Sequence, residues 1–376
     1  MPDLFFYGTL RHLPLLERVL GRPAGAIAAR PARLPGHGVF WAEGQSFPMI
    51  VARAGQSAEG LLVAGLSDAD IARLEFYEGG FDYDLRPVRV VSDDGGMARA
   101  RVFFPPESAH APRPGAPWSL EDWAARWGPL TLRAAQEVMA WFGHKEASEI
   151  APLFPSIRRR AASWLAAQAR PADPARDIAR DVRVLEHGHD CLNFFGMERA
   201  GLRFRRHDGS LSGAVTRFAL LVGEAAVVLP YDPANDCVLL VEQFRAPVFL
   251  AGDRAPWVWE PVAGLVDPGE SAETTARREA LEEAGLALTR LESAGRCYSS
   301  TGSSGEFLHL FIGIADLSDA PQGGGGLASE GEDIASRIVG FDELMRGVDA
   351  GEYKDLPLLT TALWLARHRD RLRNDA

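Results

Sequence analysis

The segment from Gly264 to Leu286 constrains this chain more than any other. It fits the spacing G-x5-E-x7-R-E-U-x-E-E-x-G-U without a break, where U is an apolar residue. Seven fixed identities and two apolar positions make chance a poor explanation. Asp267-Pro268-Gly269 is turn chemistry, and Gly264 and Gly269 allow a tight loop. Residues 273–284 then read as a helix, on which Glu279, Glu282 and Glu283 stand at i, i+3 and i+4 on one face. Like charges at that spacing destabilise a bare helix, so something cationic must offset them. Mg²⁺ or Mn²⁺, which prefer carboxylate oxygen, is the natural candidate. Such ions bridge phosphate oxygens and stabilise the charge that develops when water attacks phosphorus. The rival reading is a solvated Glu-rich helix, the usual fate of a charge run.

The segment resembles the Nudix box of metal-dependent hydrolases that cut a diphosphate attached to another group. The resemblance implies that Glu279 and Glu283 are direct metal ligands, with Glu282 a ligand or close by; Glu282 and Glu283 are the catalytic carboxylates. Arg278 would orient a carboxylate and Glu270 would fix the loop. The flanks are similar to the ADP-ribose pyrophosphatase branch, from about residue 180 to the C-terminus. They read Val241-Glu-Gln-Phe-Arg245, Trp259-Glu-Pro-Val-Ala-Gly264, Ser304-Gly-Glu306 and Ser329-Glu-Gly-Glu-Asp-Ile334. By that resemblance Arg245 binds diphosphate, the Ala263 carbonyl and Glu332 bind metal, Glu330 is a candidate base, and Glu306 contacts substrate or metal. Arg217 is a further candidate for phosphate contact, and Glu260 is a substrate contact or an interface residue. Thr301 stands where the branch usually has proline, which favours other nucleoside diphosphate sugars as alternatives to ADP-ribose. Similarity to bacterial tellurite-resistance proteins suggests a detoxification setting. The family often forms homodimers by exchanging N-terminal strands of this domain, here residues 215–222.

The first half carries a second pattern. Phe6-Tyr7-Gly8-Thr9-Leu10-Arg11 ends a short apolar strand, and a Gly at a strand-to-helix junction exposes backbone N–H groups that can bind an anion. Together with Leu74-Glu-Phe-Tyr-Glu-Gly79, Tyr83 and Arg86, this resembles the γ-glutamylcyclotransferase-like family over residues 1–145. The resemblance makes Glu78 the proton shuttle as a substrate α-amine attacks its own γ-carbonyl, giving 5-oxoproline and a released amine. Tyr7, Gly8, Thr9 and Leu10 would form the anion-binding loop. A domain of this shape with no activity is the alternative.

The chain of 376 residues suits two or three domains. The expected fold is an α+β γ-glutamylcyclotransferase-like barrel at 1–145, a partly helical linker at 146–178, and a Nudix α/β/α sandwich at 179–376. Ser67 followed by Asp70 marks a helix start. Five prolines between 105 and 117 make that stretch a loop. A net charge of −11 argues against a nucleic-acid partner but not against an anionic substrate, because bound metal inverts the local charge. Cys191, Cys237 and Cys297 form no CxxC pair and fit a reducing cytoplasm. The N-terminus has no signal-peptide pattern, and the apolar run 218–229 is too short to span a bilayer, so no membrane partner is expected. His187 and His189 read as ordinary polar residues. The rival functions are a Nudix hydrolase for a sugar nucleotide or dinucleotide, and a metabolite-sensing protein with one or both sites inactive.

Overall fold

Alternation of large apolar side chains sets the first unit. The computed structural model describes residues 3–79, 84–105, 112–318, 320 and 333–375. Contacts divide the chain into two units, Met1–Ala172 with His189–Phe194, and Asp173–Gly188 with Phe195–Ala376. In the first, β1 (Leu4–Phe6) is followed by a 3₁₀ turn (Thr9–Arg11) and α1 (Leu13–Leu20). Then come β2 (Ala28–Ala42), β3 (Pro48–Ala64), α2 (Asp68–Glu78), β4 (Asp84–Ser92), β5 (Met97–Phe104) and β6 (Pro114–Pro117). The helices α3 (Leu120–Ala140), α4 (Ala147–Ile150) and α5 (Phe154–Gln168) follow.

The strand order is β3-β1-β5-β4-β2, and β2 pairs again with β3, so five strands close into a barrel with β6 added on β2. Closure leaves no free edge on those five strands. Successive residues of β1 point to opposite faces. Phe5 and Tyr7 pack with Leu34, Ile50, Leu62 and Val102 on one face. Leu4 and Phe6 pack on the other, against the cluster that holds Leu15, Leu74, Trp123 and Ile157 from the helices. The Ser67–Asp70 capping box forms, with Asp70 N–H donating to Ser67 Oγ at 3.2 Å and Ser67 N–H to Asp70 Oδ2 at 2.8 Å. The stretch 146–178, expected as a linker, contains α4 and α5, whose Ile150, Ile157 and Ala161 belong to this same core. Glu137 of α3 and Arg160 of α5 form a pair in which each residue is only 4% and 5% exposed, with nitrogen–oxygen distances down to 2.6 Å.

The second unit contains α6 (Ile178–Asp181) and a three-stranded sheet in the order β7 (Val182–Leu192, its residues from His189 counted with the first unit), β8 (Gly196–Phe204), β9 (Val215–Leu221). The rest is β10 (Glu224–Asp232), β11 (Cys237–Phe244), α7 (Ala246–Leu250), β12 (Trp257–Glu260), β13 (Val262–Leu265), α8 (Ala272–Ala284), β14 (Arg290–Tyr298), β15 (Phe307–Ile314), β16 (Ala335–Gly340), α9 (Phe341–Ala350) and α10 (Leu356–Asn374). β10 and β15 pair in parallel, and the other ladders of this mixed seven-stranded sheet are antiparallel. Ala226 and Val228 of β10 pack with Ala276 and Ala280 of α8. Leu229 and Tyr231 pack with Leu344, Leu358 and Leu365 of α9 and α10. Both sheet faces are therefore helix-covered, which buries β10 on both sides and explains its unbroken apolar run. Among the described residues, no helix is long and apolar enough to cross a membrane.

Candidate active sites

The carboxylate helix is fixed at both ends by local chemistry. Ser271 caps α8, its Oγ accepting from Thr274 N–H at 3.1 Å. Gly285 closes it in the left-handed region at φ 63°. The loop before it relies on two glycines for different reasons. Gly269 sits at φ 96°, a conformation that costs a side chain strain. Gly264 is needed for space: a Cβ there would lie 1.9 Å from Glu279 Oε1 and 2.1 Å from its Cδ. The Glu279 carboxylate thus rests directly on the β13 backbone. Glu283 is 4% exposed, and its Oε2 lies 3.4 Å from the Ala263 N–H on the same strand. Two carboxylates from successive turns of α8 therefore converge on residues 263 and 264.

Arg278 ties this cluster together. Its Nη1 donates to Glu279 Oε1 at 2.7 Å and to Glu282 Oε2 at 2.9 Å, and its Nη2 to Glu270 Oε2 at 3.2 Å. Burial works against the guanidinium charge, but Glu270, Glu279 and Glu282 together hold it above its ordinary range. Glu270 is itself fixed by Thr275 Oγ1 at 2.8 Å. The donor set is made of hard carboxylate oxygens, which fits Mg²⁺ or Mn²⁺ better than soft metals.

Arg245 is the residue before α7, and its Nε lies 2.9 Å from both oxygens of Glu260, with Nη2 in a further contact to Oε2. Glu260 is 7% exposed on β12. This pairing outweighs the burial that disfavours the charge and raises the Arg245 guanidinium above its usual range. A fork locked on one side is well suited to offer its remaining N–H groups to an oxyanion. Glu306 follows a turn in which Ser303 and Ser304 N–H groups donate to the Ser300 carbonyl, and Ser300 Oγ meets Ser303 Oγ at 3.0 Å. Thr301 is exposed in that turn. Leu220 of β9 pins it, donating to Ser303 O at 2.9 Å and accepting from Gly305 N–H at 2.8 Å. Arg217 is exposed on β9 and donates to the Thr216 carbonyl at 2.9 Å.

In the first unit, a recess open to solvent is lined by residues 5–10, Phe47, Pro48, Glu78 and Phe103. β1 delivers Tyr7 and Gly8, after which the 3₁₀ turn begins, so its first N–H groups have no acceptor within the turn. Gly8 passes close to β3, since a Cβ there would sit 3.1 Å from Pro48 Cγ. Glu78 is the last residue of α2 and the one ionisable side chain among the described lining residues besides Tyr7. It keeps part of its surface open to the recess, yet burial among aromatic rings pushes its carboxyl up to about 7.

Residues 222–359 match the NUDIX domain, and residues 4–125 match the family described as Gamma-glutamyl cyclotransferase, AIG2-like. The chain is 34% identical over 195 residues to the ADP-ribose pyrophosphatase of Escherichia coli (strain K12), covering 52% of this chain and 92% of that protein. It is 35% identical over 188 residues to the ADP-ribose pyrophosphatase of Haemophilus influenzae, covering 50% and 86%. It is 36% identical over 133 residues to the GDP-mannose pyrophosphatase of Pectobacterium atrosepticum, covering 35% and 67%. The chain belongs to the Nudix family. This Nudix diphosphatase carries an AIG2-like γ-glutamyl cyclotransferase domain at its N-terminus, with a closed five-stranded barrel.

Within the Nudix diphosphatase, the structure brings Glu279, Glu282, Glu283 and Ala263 together, and places Arg245 against Glu260. Arg217 makes no hydrogen bond or ion pair to the carboxylate helix among the described residues. Glu330 and Glu332 lie outside the described residues, as does Tyr83. One acid near the site escapes a motif-based reading. Asp355 caps α10, its Oδ2 accepting from Leu358 N–H at 2.7 Å, and its charge acts on Arg245, Glu260 and Glu306. The signal for it was present, since Asp355 precedes Leu356-Pro357 as a helix-starting cap. His187, read as an ordinary polar residue, bonds Glu198 across β7 and β8 at 2.5 Å.

Proposed function

We propose that the C-terminal unit hydrolyses the diphosphate of ADP-ribose to AMP and ribose 5-phosphate, with Mg²⁺ or Mn²⁺. The convergence of Glu279 and Glu283 on residues 263 and 264, beside a guanidinium locked by Glu260, carries this reading. Similarity to ADP-ribose pyrophosphatases supports the substrate. Glu279, Glu283, the Ala263 carbonyl and Glu332 would hold the divalent cation, which would supply positive charge to offset the negative charge that builds as water attacks phosphorus. Arg245 binds and orients the diphosphate through its free edge. Arg278 keeps Glu279 and Glu282 aimed at the reacting group, and Glu330 is the candidate base that takes the proton of the attacking water. The test is a panel of ADP-ribose, GDP-mannose and a dinucleoside diphosphate, each with and without Mg²⁺. A preference for either of the others over ADP-ribose overturns the substrate assignment, and metal-independent or absent turnover overturns the mechanism.

The recess around Glu78 favours a second activity in the N-terminal unit, release of 5-oxoproline from a γ-glutamylamine. A carboxyl titrating near neutrality can both take and return a proton during the transfer. Tyr7, Gly8, Thr9 and Leu10 would seat the substrate carboxylate. An assay for 5-oxoproline with Glu78→Gln as the control decides it. We further read the protein as a cytoplasmic homodimer joined through the Nudix unit. Phe218 and Leu220 on β9 are 56% and 38% exposed and Met197 on β8 is 37% exposed, and the antiparallel register places all three on one sheet face, an apolar face suited to a second copy. Sedimentation of the intact chain and of Phe218→Glu tests the dimer.

A further inference from the structure

The approach to α10 is held against the loop that follows α7, and the charge of Asp355 acts on Arg245. The Lys354 amine bonds both oxygens of Asp253, at 2.9 and 2.7 Å, which clamps the approach to α10 onto the loop after α7. The Arg245 N–H donates to Pro256 O at 2.8 Å, closing the same loop from its other end. Asp355, the next residue after Lys354, thereby enters the field of Arg245. Its carboxyl is held in place as the α10 cap, 2.7 Å from Leu358 N–H.

The charged groups around Asp355 come from several elements. Arg245 precedes α7, Glu260 ends β12, and Glu306 precedes β15. Lys354 is engaged by Asp253, and Glu283 on α8 also acts on Arg245. Glu260 is bonded to Arg245 through both oxygens and stays with it. Asp355 makes no such bond, so its charge adds to the field around the guanidinium without fixing its position.

We propose that Asp355 tunes the affinity of Arg245 for a diphosphate: its carboxylate, pinned at the start of α10, partly cancels the positive charge that Arg245 offers to the substrate. This rests on reading Arg245 as the diphosphate contact. Burial, reinforced by Glu260 and Glu306, pushes the Asp355 carboxyl up to about 7 against the pull of Leu358 N–H and Arg245. The tuning therefore changes across neutrality. Below that value Asp355 is neutral and Arg245 acts at full strength, and above it substrate binding weakens.

Asp355→Asn separates this role from the helix cap, because Asn caps as well as Asp. With ADP-ribose and saturating Mg²⁺, Asp355→Asn lowers KM about fivefold at pH 8, the scale of one partly screened neighbouring charge. kcat stays within about twofold, and at pH 6 the two proteins converge. Calorimetric binding of ADP without metal shows the same pH-dependent gap. Asp355→Ser, a second uncharged cap, reproduces the effect, and melting curves confirm that either variant folds. Equal KM and equal ADP affinity at both pH values, in a folded variant, overturn the proposal. Arg245→Gln distinguishes the two levels of the argument. A rise in KM with no Asp355 effect refutes the tuning alone, and an unchanged KM refutes the diphosphate contact beneath it.

Discussion

Gly264→Ala is the most economical probe of how the carboxylate site is built. A Cβ at this position would lie 1.9, 2.1 and 2.6 Å from Oε1, Cδ and Cγ of Glu279. Each of these is well inside ordinary contact, so the side chain must retreat by more than an ångström. The obstacle is the far end of a flexible side chain, and Gly264 does not sit at positive φ. The fold therefore adapts at a cost of only about 1 kcal/mol. The catalytic geometry does not adapt so cheaply, because a misplacement of about 1 Å in a positioned group can cost about 100-fold in rate. Moving Glu279 also strains its 2.7 Å bond to Arg278, and with it the orientation of Glu282. The expected result is a protein that melts within a few degrees of the wild type while ADP-ribose hydrolysis falls about 100-fold. The assay is AMP release at saturating Mg²⁺, paired with thermal unfolding. Wild-type turnover in a folded Gly264→Ala protein would refute the claim that Glu279 must rest on the β13 backbone. Gly269→Ala is the counterpart: at φ 96° it strains the backbone instead, so stability drops along with activity.

Other outcomes follow from the same physical reasoning. Glu78 has its folded pKa raised from 4.5 to about 7, so the folded state binds more protons than the unfolded chain between those values. Its contribution is neutral at low pH, becomes progressively unfavourable as pH rises from about 4.5 to about 7, and levels off above that at up to about 3 kcal/mol. Glu78→Gln should therefore lose 5-oxoproline release and gain stability relative to wild type at pH 8 but not at pH 4, read by denaturant titration. Breaking the buried pair by Arg160→Met leaves Glu137 uncompensated and should destabilise the first unit by about 3–5 kcal/mol. The double change Glu137→Leu with Arg160→Met should recover much of that loss in melting temperature. Glu283→Gln should abolish diphosphate hydrolysis while leaving calorimetric binding of ADP measurable.

The parts of this chain that local chemistry decides were legible from the residues. The α8 helix, its loop, and the α2 capping box are set by neighbours a few positions apart, and they form where the residues indicate. The long hairpin of the barrel was not legible. No local pattern marks strands as long as β2 over Ala28–Ala42 and β3 over Pro48–Ala64. Gly36 and Gly55, both at positive φ, look like strand breaks in one dimension. In the barrel they sit at an irregularity where the β2–β3 register shifts between Pro35 and His37, and only the distant pairing reveals that both strands continue beyond it. The same limit applies to α5: a helix is expected in this stretch, but only the tertiary packing shows that Ile157 and Ala161 belong to the first core. Asp355 shows it for the site, because no motif connects a cap near the C-terminus with Arg245, 110 positions earlier.

Arg278 carries one more consequence. By bonding Glu270, Glu279 and Glu282 at once, it gives the carboxylate helix a built-in counterion. Small metal-dependent folds whose ligands lack such a partner collapse when the ion is removed. With Arg278 in that place the scaffold should need no ion to fold, so chelation should extinguish hydrolysis while the melting temperature hardly moves. Activity of this kind can be gated by the supply of divalent ion alone, reversibly and with no refolding step in the cycle.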